Sequence, residues 1–312
     1  MKNYLLNYYP KFKCIADKCK HTCCAGWEMN IDGESLDGYK NDKSPYSPTL
    51  KNGINFKKSK FKSDKTKRCA FLNAGGLCDI IINLGENSLC QVCRDHPRFR
   101  SFFTDKTETG LGFCCEEAAR IILSFDGIIQ PILISDDSKV EELDFNEQNI
   151  LEFRKSALTI LQARSVDINE RIDRLLTLCR ADLSAVAVKK IIKKFLSFER
   201  LDKAWTIRLK SIPTLLNKTT PDSLSHYAEQ FLVNGLYRHL SDAEDTMWVR
   251  ARTIALVLSW WIIKNIIELE QTKTTDLFAL TVDVARAFSA EVEYSEKNLS
   301  KLFEFCYKFI KI

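Results

Sequence analysis

The stretch that organises the chain covers residues 14–27 and reads C-I-A-D-K-C-K-H-T-C-C-A-G-W. Its four sulfurs lie within eleven residues, and two of them are adjacent. Six further cysteines follow, so that ten of the twelve cysteines stand in the first 115 residues. Such clustering requires a chemical reason, and metal binding is the first to consider.

The N-terminus does not resemble an export signal, because it has no uninterrupted apolar core and no small-residue cleavage site. The longest apolar run, Thr253 to Ile263, is shorter than the roughly 20 residues that span a bilayer, and we expect a buried helix there. We therefore expect a cytoplasmic protein without a transmembrane segment. In that reducing compartment, clustered cysteines are more often metal ligands or redox groups than disulfides.

Positive charge is concentrated near the start of the chain. The first 115 residues hold 19 Lys and Arg against 12 Asp and Glu, with the excess between Lys57 and Arg68. Such a run suits an acidic partner, nucleic acid or an anionic membrane. No stacking platform or nucleic-acid motif accompanies it, so we favour a solvated loop and expect no nucleic-acid partner.

Hydrophobic spacing predicts a mainly α fold, in which a helical body carries an irregular, cysteine-rich metal-binding module at the N-terminus. We place the module at residues 1–127 and the helical domain at 147–312. From about 147 onward, apolar residues recur every three or four positions. They predict helices around 151–161 and 172–178, and at about 183–198, 201–215, 222–240, 246–270, 274–290 and 295–310.

Within the module, only short elements are predicted. Asp32 is suited to cap a short helix, and the lysine-rich segment from Asn41 to Lys67 is interpreted as a loop with little core of its own. Cys69 and Cys78 flank an Ala-Gly-Gly turn, as on the two arms of a small hairpin. Cys115 directly precedes a helix whose first turn carries two glutamates.

Spacing alone does not decide which metal these cysteines bind. Zinc takes four ligands, usually from two short pairs, and Cys90 and Cys93 are spaced to reach one ion. An iron–sulfur cluster also takes four thiolates, which can be spread along the chain. His21 and His96 lie close to cysteines in the sequence. We expect each to be either a metal ligand or acid–base group, or a hydrogen-bonded structural residue. Cys179 and Cys306, by contrast, are expected to pack in the helical core.

Four stretches together resemble the flagellin lysine N-methylase family and, more loosely, cysteine-cluster proteins described as zinc- or iron-chelating. They read F-K-C-I-A-D-K-C-K-H-T-C-C-A-G-W-E-M-N-I-D, C-A-F-L-N-A-G-G-L-C-D-I, L-C-Q-V-C-R-D-H-P-R and F-C-C-E-E-A-A-R-I-I-L. Near the C-terminus, E-V-E-Y-S-E-K-N-L is similar to a further family segment. The cysteines that match family positions are Cys14, Cys19, Cys23, Cys24, Cys69, Cys78, Cys93 and Cys115, whereas Cys90 and Cys114 are additions.

The resemblance implies a 4Fe-4S cluster held by those eight positions, with zinc as the alternative metal. It also implies methyl transfer from S-adenosylmethionine to lysines of flagellin. Glu293, Tyr294 and Asp95 are possible proton acceptors, although a structural role for each is the more common outcome. A non-enzymatic zinc- or iron-binding scaffold is the alternative. The chain lacks both the C-x3-C-x2-C signature of radical S-adenosylmethionine enzymes and the Gly-rich turn of the usual methyltransferases.

Overall fold

The computed structural model describes residues 1–137, 142–183, 188–213 and 217–311. The chain divides into two compact units. We call Lys13–Arg98 the thiol-rich unit, and we call Met1–Phe12 together with everything from Phe99 onward the helical unit. These bounds differ from those of the two predicted domains, 1–127 and 147–312. The division into those two domains stays a prediction.

The described residues form six strands and thirteen α-helices. The strands are β1 (Lys2–Leu6), β2 (Ile54–Asn55), β3 (Lys60–Phe61), β4 (Arg98–Phe102), β5 (Lys106–Leu111) and β6 (Pro131–Asp136). The helices are α1 (Gly33–Asn41), α2 (Ser47–Asn52), α3 (Asp79–Leu84), α4 (Gln91–Asp95), α5 (Glu116–Leu123), α6 (Phe145–Leu161), α7 (Ile168–Leu178), α8 (Val188–Leu196), α9 (Lys203–Ser211), α10 (Asp222–His239), α11 (Thr246–Glu270), α12 (Leu277–Phe288) and α13 (Glu296–Tyr307). The prediction of a mainly α fold is confirmed.

A four-stranded sheet explains why the first residues of the chain belong to the helical unit. Its strand order is β4-β5-β1-β6. Strand β1 is parallel to β5 and antiparallel to β6. Backbone hydrogen bonds therefore join residues 1–12 to residues 99–136, although the sequence pattern assigned residues 1–12 and 99–127 to the cysteine-rich module.

The long helices follow the predicted spacing closely. Helix α11 contains the apolar run from Thr253 to Ile263, which is buried as expected. Residues 184–187 of the predicted helix 183–198, and residues 214–216 of the predicted helix 201–215, lie outside the described residues. No helix in the described part of the chain is both long and apolar enough to cross a membrane.

The thiol-rich unit has its own small core, and it corrects the interpretation of Asn41–Lys67 as a loop. Helix α2 and the β2–β3 pair lie in that segment, and they bury Leu50, Ile54 and Phe61. These apolar residues are isolated among lysines, so the sequence shows neither a helical nor a strand-like hydrophobic period in this segment. The predicted cap is confirmed, because the Asp32 carboxylate accepts a hydrogen bond of 2.9 Å from the Ser35 N–H.

Candidate metal centre

Backbone pairing brings the first cysteine cluster to Cys69. The Cys69 N–H donates a hydrogen bond of 2.9 Å to the carbonyl of Cys24. An antiparallel bridge between Ala25 and Arg68 continues this contact. Cys24 and Cys69 are thus neighbours in space although 45 positions separate them in sequence.

A tight turn sets Cys78 beside the same core. Leu72 and Cys78 form an antiparallel bridge, as the predicted hairpin requires. The Asn73 side-chain oxygen accepts hydrogen bonds of 3.0 Å from the N–H groups of Gly75 and Leu77. The second arm differs from a strand, because helix α3 begins directly after Cys78.

Cys90 and Cys93 lie at the start of the short helix α4, with Cys90 as its N-terminal cap residue. The Asp32 carboxylate accepts a hydrogen bond of 2.8 Å from the Gln91 N–H and so fixes this helix start. The Cys93 thiol donates to the Cys90 sulfur, which lowers the pKa of Cys90 and raises that of Cys93. Cys90 is completely buried.

The first cluster provides a thiol that ionises more readily than an ordinary cysteine. A hydrogen bond from Cys23 lowers the pKa of Cys24 to about 7, against the opposing effect of burial. A hydrogen bond from the Thr22 hydroxyl and the positive charge of Arg68 also lower the pKa of Cys24. Because the thiolate is the form that binds metals, Cys24 is prepared for ligation near neutral pH.

Mutual electrostatic effects show that the thiols lie within reach of one another. Burial, with smaller contributions from the thiols of Cys24, Cys78 and Cys90, raises the pKa of Cys69 to about 11. The core of the unit contains Cys69 and Cys90, with Cys24, Cys78 and Cys93 packed against it. We call these five residues the thiol core.

The structure distributes the remaining predicted ligands differently. Cys14 and Cys23 are exposed, and Cys19 is partly buried. Cys115 belongs to the helical unit, where it directly precedes α5 as the sequence predicted.

The thiol core has suitable donors for iron–sulfur or zinc, since both take thiolates. Among the described residues, however, no three or more Cys, His, Asp or Glu side chains form a ready-made metal site. His96 stacks on Trp27, with 6.5 Å between the ring centroids. The Trp27 Nε1–H donates a hydrogen bond of 2.7 Å to the Cys23 carbonyl. An aromatic pair therefore borders the first cluster.

A second polar cluster lies in the helical unit around Glu293, at the end of a π-helical turn over Ser289–Glu293. His239 Nε2 lies 2.9 Å from Glu293 Oε1, and Arg238 Nη1 lies 3.4 Å from Oε2. The Ser289 hydroxyl also donates to Oε2. Burial opposes ionisation of Glu293, but Arg238, His239 and Ser289 outweigh it and lower its pKa to about 2.

Tyr294 and Cys114 extend this cluster. The Arg238 guanidinium lies over the Tyr294 ring, 4.4 Å from its centroid, and the Tyr294 hydroxyl is hydrogen-bonded to the Cys114 thiol. A methyl group at Gly112 would approach the Tyr294 hydroxyl to 2.3 Å, so this end of the ring is tightly enclosed. Desolvation raises the pKa of Tyr294 well above its usual value. Sequence reasoning singled out Glu293 and Tyr294, expected a structural role for His239 and did not single out Arg238; both of these partners come from α10.

The helical unit also contains a cavity of about 530 Å³. Helix α6 forms one wall with Leu151 and Leu158, among others, and Gln162 extends this wall directly after the helix. Its polar lining includes an ion pair between Arg154 Nη1 and Glu108 Oε2, 2.7 Å apart. A space of this size suits a small organic ligand.

Comparison with known proteins gives a distant and partial likeness. A lysine-N-methylase of Salmonella typhimurium is 24% identical over 126 residues, which cover 38% of this chain and 31% of that protein. A lysine-N-methylase of Salmonella choleraesuis is 25% identical over 126 residues, which again cover 38% of this chain and 31% of that protein. The flagellar biosynthetic protein FliU of Salmonella muenchen is 26% identical over 125 residues, covering 38% of this chain and 74% of that protein.

The match thus spans about a third of the length of the two lysine-N-methylases, 31% in each case. No protein-family model and no solved structure matches the chain. The chain is therefore distantly similar to lysine-N-methylases and to a flagellar biosynthetic protein, in partial agreement with the resemblance carried by the cysteine stretches.

Proposed function

We propose that this chain is a protein-lysine N-methyltransferase that acts on flagellin with S-adenosylmethionine as methyl donor. The observation that carries the proposal is the likeness to two lysine-N-methylases and to a flagellar biosynthetic protein. The cavity in the helical unit supports binding of a small organic donor, because its volume falls within the range of ligand pockets.

We further propose that the thiol-rich unit holds a 4Fe-4S cluster, with zinc as the alternative metal. The support is the thiol core, which gathers five soft donors around one small core. Such a cluster, held by cysteines of the thiol core, would either bind the methyl donor or act as a cross-link that fixes the unit. In this chain, the lowered pKa of Cys24 provides a thiolate for ligation near neutral pH.

Methyl transfer to lysine requires the neutral amine and a group that takes up its proton. Glu293 is a poor acceptor, because its ion pair with Arg238 holds the carboxylate as a weak base with a pKa of about 2. Tyr294 keeps its proton at neutral pH, since desolvation raises its pKa. The pKa shifts of Glu293 and Tyr294 therefore favour positioning roles for both residues. Of the proton acceptors proposed from the sequence, Asp95 at the end of α4 remains.

The test is methyl transfer by the full chain, purified without oxygen. The protein is incubated with flagellin and methyl-labelled S-adenosylmethionine, and the modified lysines are located by mass spectrometry. We expect label on flagellin lysines, and we expect Cys179→Ser to retain activity because that thiol lies in the helical core. Absence of label from protein with a full metal content would contradict the proposed reaction.

The alternative function is a non-enzymatic metal-binding scaffold, which the thiol core favours equally. A scaffold of this kind binds iron or zinc but shows no response to S-adenosylmethionine. A change in the visible spectrum of the metal on addition of S-adenosylmethionine would therefore exclude it.

A further inference from the structure

The lysine-rich run from Lys57 to Arg68 contains most of an ordered hairpin, whereas the sequence favoured a loop. The two arms of the hairpin meet through an antiparallel bridge between Ser63 and Cys69. The Ala70 N–H donates a hydrogen bond of 2.9 Å to the Lys62 carbonyl across the same two arms. The lysines of this run therefore have fixed backbone positions.

A single carboxylate closes the tip of the hairpin. The Asp64 side chain accepts hydrogen bonds of 2.7 Å from the Thr66 N–H and of 3.0 Å from the Arg68 N–H. The Asp64 N–H donates to the Arg68 carbonyl, and the Asp64 carbonyl accepts from the Lys67 N–H, both at 3.0 Å. The acid of this run is thus part of the turn that orders the hairpin.

A neighbouring segment holds the base of the hairpin. The Phe61 N–H donates a hydrogen bond of 3.1 Å to the Met29 carbonyl, and the Gly26 N–H donates one of 3.1 Å to the Lys67 carbonyl. The Phe61 ring is buried in the small core of the thiol-rich unit. Backbone pairing and this buried anchor therefore limit how far the lysines can move apart.

The hairpin and the residues that lead into it carry an excess of positive charge. Seven side chains of the run are cationic, and six of them are exposed, Lys60 being half-buried beside its partner Glu28. We call these seven residues the basic surface: Lys57, Lys58, Lys60, Lys62, Lys65, Lys67 and Arg68. Glu28 and Asp64 offset only part of this charge.

Charges from both ends of the run meet at Glu28. The hydrogen bond from Lys60 lowers the pKa of Glu28, and the charges of Lys58 and Lys67 add to this effect. Positive charges held so close together repel one another and oppose the compact state. A loop would relieve this repulsion by spreading, but the paired backbone keeps the lysines together. An ordered cationic surface of this kind is complementary to an acidic partner.

The side chains of the basic surface favour protein carboxylates over nucleic acid. Six of the seven residues are lysines, which act as point charges, whereas planar recognition of phosphate by two hydrogen bonds is typical of arginine. Base stacking requires accessible aromatic rings, but Phe61, the aromatic residue of the run, is buried. An acidic protein segment requires neither feature.

We propose that the basic surface is a docking site for an acidic segment of a protein partner. Under the proposed function, this partner is the protein whose lysines are methylated, and to that extent the inference rests on the proposed function. Docking through exposed charges requires neither the methyl donor nor a metal. It can therefore be measured without the reaction.

The first test is binding of a fluorescent oligoglutamate peptide to the full chain, followed by anisotropy. We expect binding that weakens by about tenfold from low to high salt, because exposed charges are screened. Oligoglutamine of the same length should not bind. Absence of oligoglutamate binding would overturn the proposal. So would tighter binding of a DNA oligonucleotide of equal charge, or of vesicles of phosphatidylcholine and phosphatidylserine.

Two triple variants with the same change in net charge locate the binding. Each replaces three exposed lysines, in the hairpin or on α8 as the control: Lys62→Gln, Lys65→Gln and Lys67→Gln, or Lys189→Gln, Lys190→Gln and Lys193→Gln. We expect the hairpin variant to bind oligoglutamate about tenfold more weakly, because three exposed ion pairs are lost. The control should bind as the wild type does. Circular dichroism checks folding, and equal weakening in the two folded variants would overturn the proposal.

Kinetics with flagellin separate this inference from the proposed reaction. If flagellin is methylated, we expect the hairpin variant to raise KM and to leave kcat unchanged, because the basic surface binds the partner without touching the reacting groups. An unchanged KM would overturn docking of the substrate at this surface. If flagellin is not methylated, the proposed reaction fails, and the oligoglutamate measurements still decide whether the surface binds an acidic segment.

Discussion

The two compact units differ in what fills their cores. The helical unit contains helices of 18 and 25 residues, α10 and α11, around a large apolar core. The α-helices described in the thiol-rich unit have only nine, six, six and five residues, and cysteines occupy part of its core. Short helices and small cores are marginally stable in water. We attribute the stability of the helical unit to apolar burial, and we propose that metal ligation by thiolates stabilises the thiol-rich unit.

The largest effect is expected from Glu293→Gln in the helical unit. The substitution leaves the buried Arg238 without its carboxylate partner, which costs about 3–5 kcal/mol of unfolding free energy. Hydrogen exchange of the full chain should locate this loss in the helical unit. Glu170→Gln, in an exposed pair with Arg174, is the matched control and should change stability by less than about 0.5 kcal/mol.

The same carboxylate predicts a pH dependence. Because the folded-state pKa of Glu293 is lowered from 4.5 to about 2, its contribution is complete above pH 4.5 and is lost as the pH falls toward 2. The wild type should therefore lose more stability over this interval than Glu293→Gln does. Equal slopes for the two proteins in acid unfolding would contradict the assignment.

A smaller effect is expected from Gly53→Ala in the thiol-rich unit. The new methyl group would come within 2.3 Å of the buried Phe71 ring, and displacing that ring costs about 1–3 kcal/mol. Gly38→Ala is the control, because it lies inside α1 with no atom within 4 Å and should stabilise the helix by up to about 1 kcal/mol. Hydrogen-exchange rates of peptides from residues 13–98 measure both changes, and equal effects would show that this core is loosely packed.

The sequence predicted the helical unit far better than the thiol-rich unit. Helices α10 and α11 follow their predicted bounds within one residue, because both combine sustained periodicity with a clear start at Pro221 or Asp245. The prediction of a loop from Asn41 to Lys67 was wrong, because the buried residues of that segment are isolated among lysines. Local pattern therefore sufficed where helices are long.

The candidate site depended on long-range pairing that no local pattern contains. The pairing of Cys90 with Cys93 follows from their spacing, whereas the contact of Cys24 with Cys69 arises from backbone bonds between distant segments. In the same way, the sequence singled out Glu293 as a charged residue within E-V-E-Y-S-E-K-N-L, the stretch that is similar to a family segment. Its partners Arg238 and His239 are contributed by a separate helix.

The most direct test of the difference between the units is peptide-resolved hydrogen exchange of the full chain, purified without oxygen, before and after removal of metal by a chelator. We expect bound iron or zinc at the start, and a loss of protection confined to residues 13–98 once the metal is gone. Unchanged protection in that unit, or an equal loss across both units, would contradict the assignment of metal-dependent stability to the thiol-rich unit.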